Sequence, residues 1–188
     1  MRILISCMDR RLNEFLEREY NDGNTIFVRN AGANVGSLKA TLSLLKSADE
    51  IVILPHTDCG AMGVVEKALK GESLPSSLEP LISPFRKYSN YTKGQLEQVN
   101  PEVQRSSVSN LTKAKVRVDL VKTEELNAPP SNDNVALMMP PSNKRYSEMI
   151  TPDMMYRTYV IQSQGDDGEI DALIARDFLK VREVRRVS

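Results

Sequence analysis

Three short apolar runs, each followed by a stretch with helical spacing, constrain this chain more than any other feature. RILIS leads into Cys7, TIFVRN covers 25–30 and EIVILPH covers 50–56. Short, continuous apolar runs rich in Ile, Val and Phe suit strands buried on both faces of a parallel sheet. After the first run, RRLNEFLEREY places Leu12, Phe15 and Leu16 at helical spacing, with Asp9 where an N-cap would stand. NDG at 21–23 is turn chemistry. LKATLSLLKSA has apolar positions at 38, 42, 45 and 48, and GAMGVVEKALKG closes on Gly71. Strand and helix alternate three times within residues 1–71, joined by short loops. That pattern predicts an α/β fold with three layers around a mainly parallel sheet of about four to five strands.

The second half is less periodic. SLPSSLEPLISPF is broken by prolines and predicts loop or short helical turns. A helix is expected from Pro101 onward, because proline is tolerated at a first helical position. VRVDLV and YRTYVIQS are strand candidates. Residues 127–153 hold two Pro-Pro pairs and Asn/Ser clusters, which predict a long irregular excursion. QGDDGE predicts a turn, and EIDALIARDFLKV a closing helix with Ile170, Leu173, Ile174 and Phe178 on one face. No internal repeat is visible. A chain of 188 residues suits a single domain, 1–188, with its motifs in 1–71 and a less legible second half in 72–188.

Charge excludes some classes. Lys plus Arg number 25 and Asp plus Glu 25, so the basic excess of a general nucleic-acid binder is missing. The basic end KVREVRR is expected to be solvated. No apolar run reaches the length of a membrane span, and RILISC is too short for a signal-peptide core. A cytoplasmic protein is the expectation. Two cysteines make no disulfide framework, so they are buried thiols or metal ligands.

Those two cysteines and the only histidine fall in two short segments. Cys7 opens CMDRR, while His56 and Cys59 lie in HTDCG. Each segment stands at the carboxyl end of a predicted strand, where open parallel sheets collect ligands. If the first and third strands are neighbours, the three side chains form one site. Two thiolates and an imidazole suit zinc, and three protein ligands leave a fourth position open, as a catalytic site requires.

CMDRR, VRNAGA and HTDCGAM together resemble the β-class carbonic anhydrases, whose motifs are Cys-x-Asp-x-Arg, Arg-Asn-Ala-Gly and His-x-x-Cys-Gly. The resemblance covers roughly residues 2–71; Pro55 stands where glycine is common. It implies Cys7, His56 and Cys59 as ligands of one Zn2+ per chain, and Asp9 with Arg11 as the catalytic pair. The activity implied is reversible hydration of carbon dioxide to bicarbonate by a zinc-bound hydroxide. It also implies a homodimer or larger homo-oligomer. Members of the family differ in whether the motif aspartate sits on the metal or on the arginine, and both are open for Asp9. Two other readings stay open: a carbonyl sulfide or carbon disulfide hydrolase on the same site, and a zinc-binding protein with little turnover.

The remaining signals are weaker. NAGANVGS is neither a dinucleotide fingerprint nor a Walker loop, and is expected to be a tight turn lining the site. Gly32 and Gly60 are the expected substrate-pocket positions. Asp166, Asp167, Glu169 and Asp171 fit no EF-hand spacing and are expected in a solvated turn. Met138, Met139, Met154 and Met155 are expected as packing residues, and Arg10 as a plain surface charge.

Overall fold

The computed structural model describes all 188 residues. The three apolar runs form strands β1 (Arg2–Cys7), β2 (Thr25–Asn30) and β3 (Glu50–Leu54). Helix α1 (Asn13–Tyr20) follows β1, the short α2 (Leu42–Lys46) precedes β3, and α3 (Gly60–Leu69) follows it. Then come α4 (Glu79–Ile82), α5 (Lys93–Ser109) and strand β4 (Lys115–Val118). The chain ends with β5 (Val135–Met139), β6 (Thr158–Gln162), α6 (Gly165–Asp177) and β7 (Val184–Arg186).

All seven strands form one sheet in the order β4-β3-β1-β2-β6-β5-β7. Every neighbouring pair is parallel except β2 and β6. β1 lies between β2 and β3, so the strand order reverses at β1 and opens a crevice at its carboxyl end. Alternation along the strands builds a core on each face. Leu4, Phe27, Val52 and Leu54 join the larger core, with Leu16 of α1, Val65 of α3 and Ile174 of α6. Ile3, Ile5, Val28, Ile51 and Ile53 join the smaller one, with Leu45 of α2 and Val108 of α5. The three-layer α/β architecture is thus the expected one.

Several expectations need correction. The sheet has seven strands, more than four to five. β5 lies inside the supposed irregular excursion, where Pro129–Pro130 and Pro140–Pro141 flank it and mask a short Met-rich strand. β7 lies in the supposed solvated tail; its Val-Arg-Arg is an edge strand held by backbone bonds, and an edge needs no apolar side chains. α5 begins at Lys93, where Thr92 and Gln95 form a reciprocal capping box. Pro101 therefore sits inside the helix rather than at its start. The expected turn at 164–169 is largely the first turn of α6.

Candidate metal centre

Cys7 ends β1, His56 follows β3, and Cys59 stands just before α3. Pairing of β1 with β3 brings the three together. One potential ligand atom from each lies within 4.8 Å of the others, and all three residues are buried. Both cysteines are free thiols. Hydrogen bonding fixes the imidazole: Nδ1 lies 2.7 Å from the Thr57 carbonyl and donates to it. Nε2 is left buried without a partner and faces the two cysteines.

The protonation of the cluster is one a metal would displace. Cys7 is pulled below the usual thiol range, first by its hydrogen bond with Cys59 and then, against burial, by His56. Cys59 is pushed up by the same hydrogen bond and by burial. Burial opposes the charge on His56, but the Cys7 thiolate outweighs it and raises the imidazole to about 9. A soft donor set, an orphaned nitrogen and a tautomer set by a carbonyl all fit zinc.

Asp9 faces the cluster but is held by Arg11. Its Oδ1 accepts from the Arg11 backbone N–H at 2.8 Å and from Nε at 3.0 Å, while Oδ2 accepts from Nη2 at 2.8 Å. Oδ2 is 3.9 Å from His56 Nε2. Burial would raise the Asp9 carboxyl, but the Arg11 bonds and the nearby His56 hold it down at about 2. Arg11 also donates to Asp58, through Nη1 to the carboxylate at 2.9 Å and through Nη2 to the carbonyl at 2.7 Å. This structure therefore shows the arginine-paired arrangement of Asp9.

Gly32 lies where a backbone approach is needed. Its φ of 79° is left-handed, and its N–H points at Cys7 Sγ at 3.5 Å. A Cβ there would meet Met62 at 3.2 Å and Ala61 at 3.3 Å. Gly60 borders a pocket of about 270 Å³ with Asp9, Arg10, Arg11, Asp58, Lys93, Tyr159 and Leu179. A Cβ on Gly60 would fall 2.5 Å from Leu179.

Several contributors were not singled out as site residues, and of these only Arg29 lies within a motif, VRNAGA. Glu97, buried on α5, accepts from the Asp58 N–H at 3.0 Å and the Cys59 N–H at 2.7 Å. Thr123 donates to the Thr57 carbonyl at 2.9 Å, bracing the group that orients His56. Arg29 is fully buried and donates to the carbonyls of Cys7 and Asp9 at 3.0 and 2.8 Å, and to Asn13 Oδ1 at 2.7 Å. Asn100 and Gln104 of α5 bind the loop after β2 at Gly32 and Asn34.

Two side-chain expectations are overturned. Arg10 is no plain surface charge, since it donates to the carbonyls of Pro129 and Tyr156. Asp167 and Asp171 are buried, not solvated: Asp171 accepts from the Ala31 N–H at 3.0 Å and Asp167 from the Ala40 N–H at 2.8 Å. Burial pushes the Asp171 carboxyl up to about 7.

Fold and cluster together define an α/β protein with a Cys–His–Cys site able to hold a metal at the strand-order reversal of its sheet. The family described as carbonic anhydrase matches residues 2–137, and the chain belongs to the β-class carbonic anhydrase family. Among solved structures it is similar to the β-carbonic anhydrase of Aspergillus fumigatus, at 15% identity and a TM-score of 0.49 over 66% of this chain and 72% of that one. It is also similar to a carbonic anhydrase from Glaciozyma antarctica, at 15% identity and a TM-score of 0.42, covering 66% and 78%. A carbon disulfide hydrolase matches at 19% identity and a TM-score of 0.42, covering 66% and 74%. No curated protein matches.

Proposed function

We propose that the chain is a zinc-dependent carbonic anhydrase that interconverts carbon dioxide and bicarbonate. The observation that carries this reading is the buried Cys7–His56–Cys59 cluster with Asp9 drawn onto Arg11 beside it. Cys7 Sγ, His56 Nε2 and Cys59 Sγ would hold one zinc ion. Zinc, when bound, supplies a Lewis acid that makes a water nucleophilic near neutral pH.

The chain's own groups do the rest. Arg11 keeps Asp9 ionised and fixes its orientation by two parallel bonds. Asp9 Oδ2, turned toward the cluster, accepts a hydrogen bond from the attacking water and aims its lone pair at the substrate carbon. Glu97 and Thr123 hold the HTDCG segment in register. Arg11 and Lys93 line the mouth, each paired with Asp58, and give it a polar rim suited to releasing a bicarbonate anion. Gly60 borders the pocket beside Asp9 and Arg11, whereas Gly32 is packed against Met62 and Ala61 and serves the close backbone approach to Cys7. The free thiols call for a reducing compartment, and the cytoplasm is the setting we propose.

The test is to assay zinc-loaded protein side by side on carbon dioxide and carbon disulfide. Faster turnover of carbon dioxide is expected. Turnover of carbon disulfide alone would assign the hydrolase instead, and full zinc occupancy with neither activity would make the site a binding centre.

A further inference from the structure

The two outer parts of the sheet have the same internal topology. β1 sits between β2 and β3, and β5 sits between β6 and β7, all pairs parallel. Their registers match at one constant offset of 133 positions. Arg2 faces Thr25 as Val135 faces Thr158, and Ile3 faces Ile51 as Ala136 faces Val184. Backbone bonds outside the ladders repeat at that offset. Arg2 N–H donates to Asn24 as Val135 N–H does to Arg157, and Asp49 N–H to Met1 as Arg182 N–H to Asn134. Arg29 bonds Asn13, and at the matching positions Gln162 bonds Tyr146. Gly32 and Gly165 match too, and both have positive φ.

The single antiparallel junction fits a two-fold relation. In β2–β6, Arg29 is paired with Gln162, its own counterpart at the same offset. Residue facing its own equivalent is the signature of an isologous interface. Here both copies belong to one chain. The second copy has kept the strands but not the chemistry: Pro140, Ser142 and Lys144 stand at the positions of Cys7, Asp9 and Arg11. It also reaches the first copy's site. Val160 N–H donates to the Met8 carbonyl, and Tyr159 and Leu179 line the pocket beside Asp9 and Gly60.

We propose that residues 135–188 are a second, metal-free copy of the unit 2–55, fused where a partner subunit would pair, so that one chain completes its own metal pocket through Tyr159 and Leu179. The pocket role rests on the zinc reading above; the pairing does not.

The test combines sedimentation and amide exchange on the full chain with cobalt(II) as a visible probe of the site. Particles of one chain, 21.1 kDa, are expected, with the Phe27 and Val160 amides protected in them. Leu179→Ala and Tyr159→Ala are expected to speed thiocyanate association with the cobalt site several-fold, leaving the cobalt spectrum without anion unchanged. Two-chain particles at every concentration, or unprotected Phe27 and Val160 amides in single chains, would overturn the pairing. An unchanged association rate in both variants would overturn the pocket role. If cobalt does not bind, the zinc reading fails, and sedimentation with exchange still decides the pairing.

Discussion

Arg11 divides its guanidinium between two carboxylates, taking Asp9 by two parallel bonds and Asp58 by another. Lysine cannot make this planar fork. Arg11→Lys is therefore expected to lower carbon dioxide hydration roughly 10- to 100-fold with zinc content unchanged. Near-normal turnover in that variant would remove Asp9–Arg11 from the mechanism. At this scale the sequence is most legible. Cys7, His56 and Cys59 stand out because the chain has so few such side chains and they fall at strand ends. Glu97 does not stand out: it works through a partner far along the chain, and a charged residue in a polar helix looks like any solvated one until its neighbours are known.

At the scale of elements, α5 and α6 clamp the loops that carry the site. Glu97 takes two backbone N–H groups from the HTDCG loop. Glu97→Gln keeps only one acceptor oxygen, and zinc affinity should fall roughly 10- to 100-fold in a metal-competition titration. Unchanged affinity would reduce Glu97 to a packing role. On α6, Asp171 holds its proton in the fold up to about pH 7, whereas an unfolded aspartate loses it near ~4. Its contribution to stability is full below about pH 4, falls as pH rises and is gone above about 7. Asp171→Asn stays neutral and keeps an acceptor for the Ala31 N–H. The stability of the variant relative to the parent should therefore rise between those limits, and parallel melting curves across the range would contradict this. The element pattern was legible where strands are apolar on both faces, as β1–β3 are. β5 and β7 were not, because prolines or arginines obscure them and their pairing is a property of the backbone.

For the whole molecule, the repeat is hidden in the sequence and plain in the register. Across the two copies few residues coincide, among them Leu4 with Leu137, Thr25 with Thr158, Gly32 with Gly165 and Glu50 with Glu183. What persists is strand spacing, which lets side chains drift while the hydrogen-bond ladder stays. A metal that binds only the folded chain must also stabilise it as a whole. With free zinc 100-fold above its dissociation constant, the gain is about 2.7 kcal/mol. Thermal unfolding should shift upward with zinc and return with a chelator; no shift would mean that the cluster does not hold the ion in the native state.

Carrying zinc, the Cys7–His56–Cys59 cluster with Asp9 on Arg11 is expected to hydrate carbon dioxide. The most direct measurement is the stopped-flow rate of carbon dioxide hydration by the zinc-loaded full chain, followed from mildly acidic to alkaline pH. With zinc bound, the thiolates of Cys7 and Cys59 would neutralise the ion's charge and leave its water less acidic than three imidazoles would. A rate well above buffer, climbing on the alkaline side, is expected. No rate above buffer at any pH, with zinc fully bound, would contradict it.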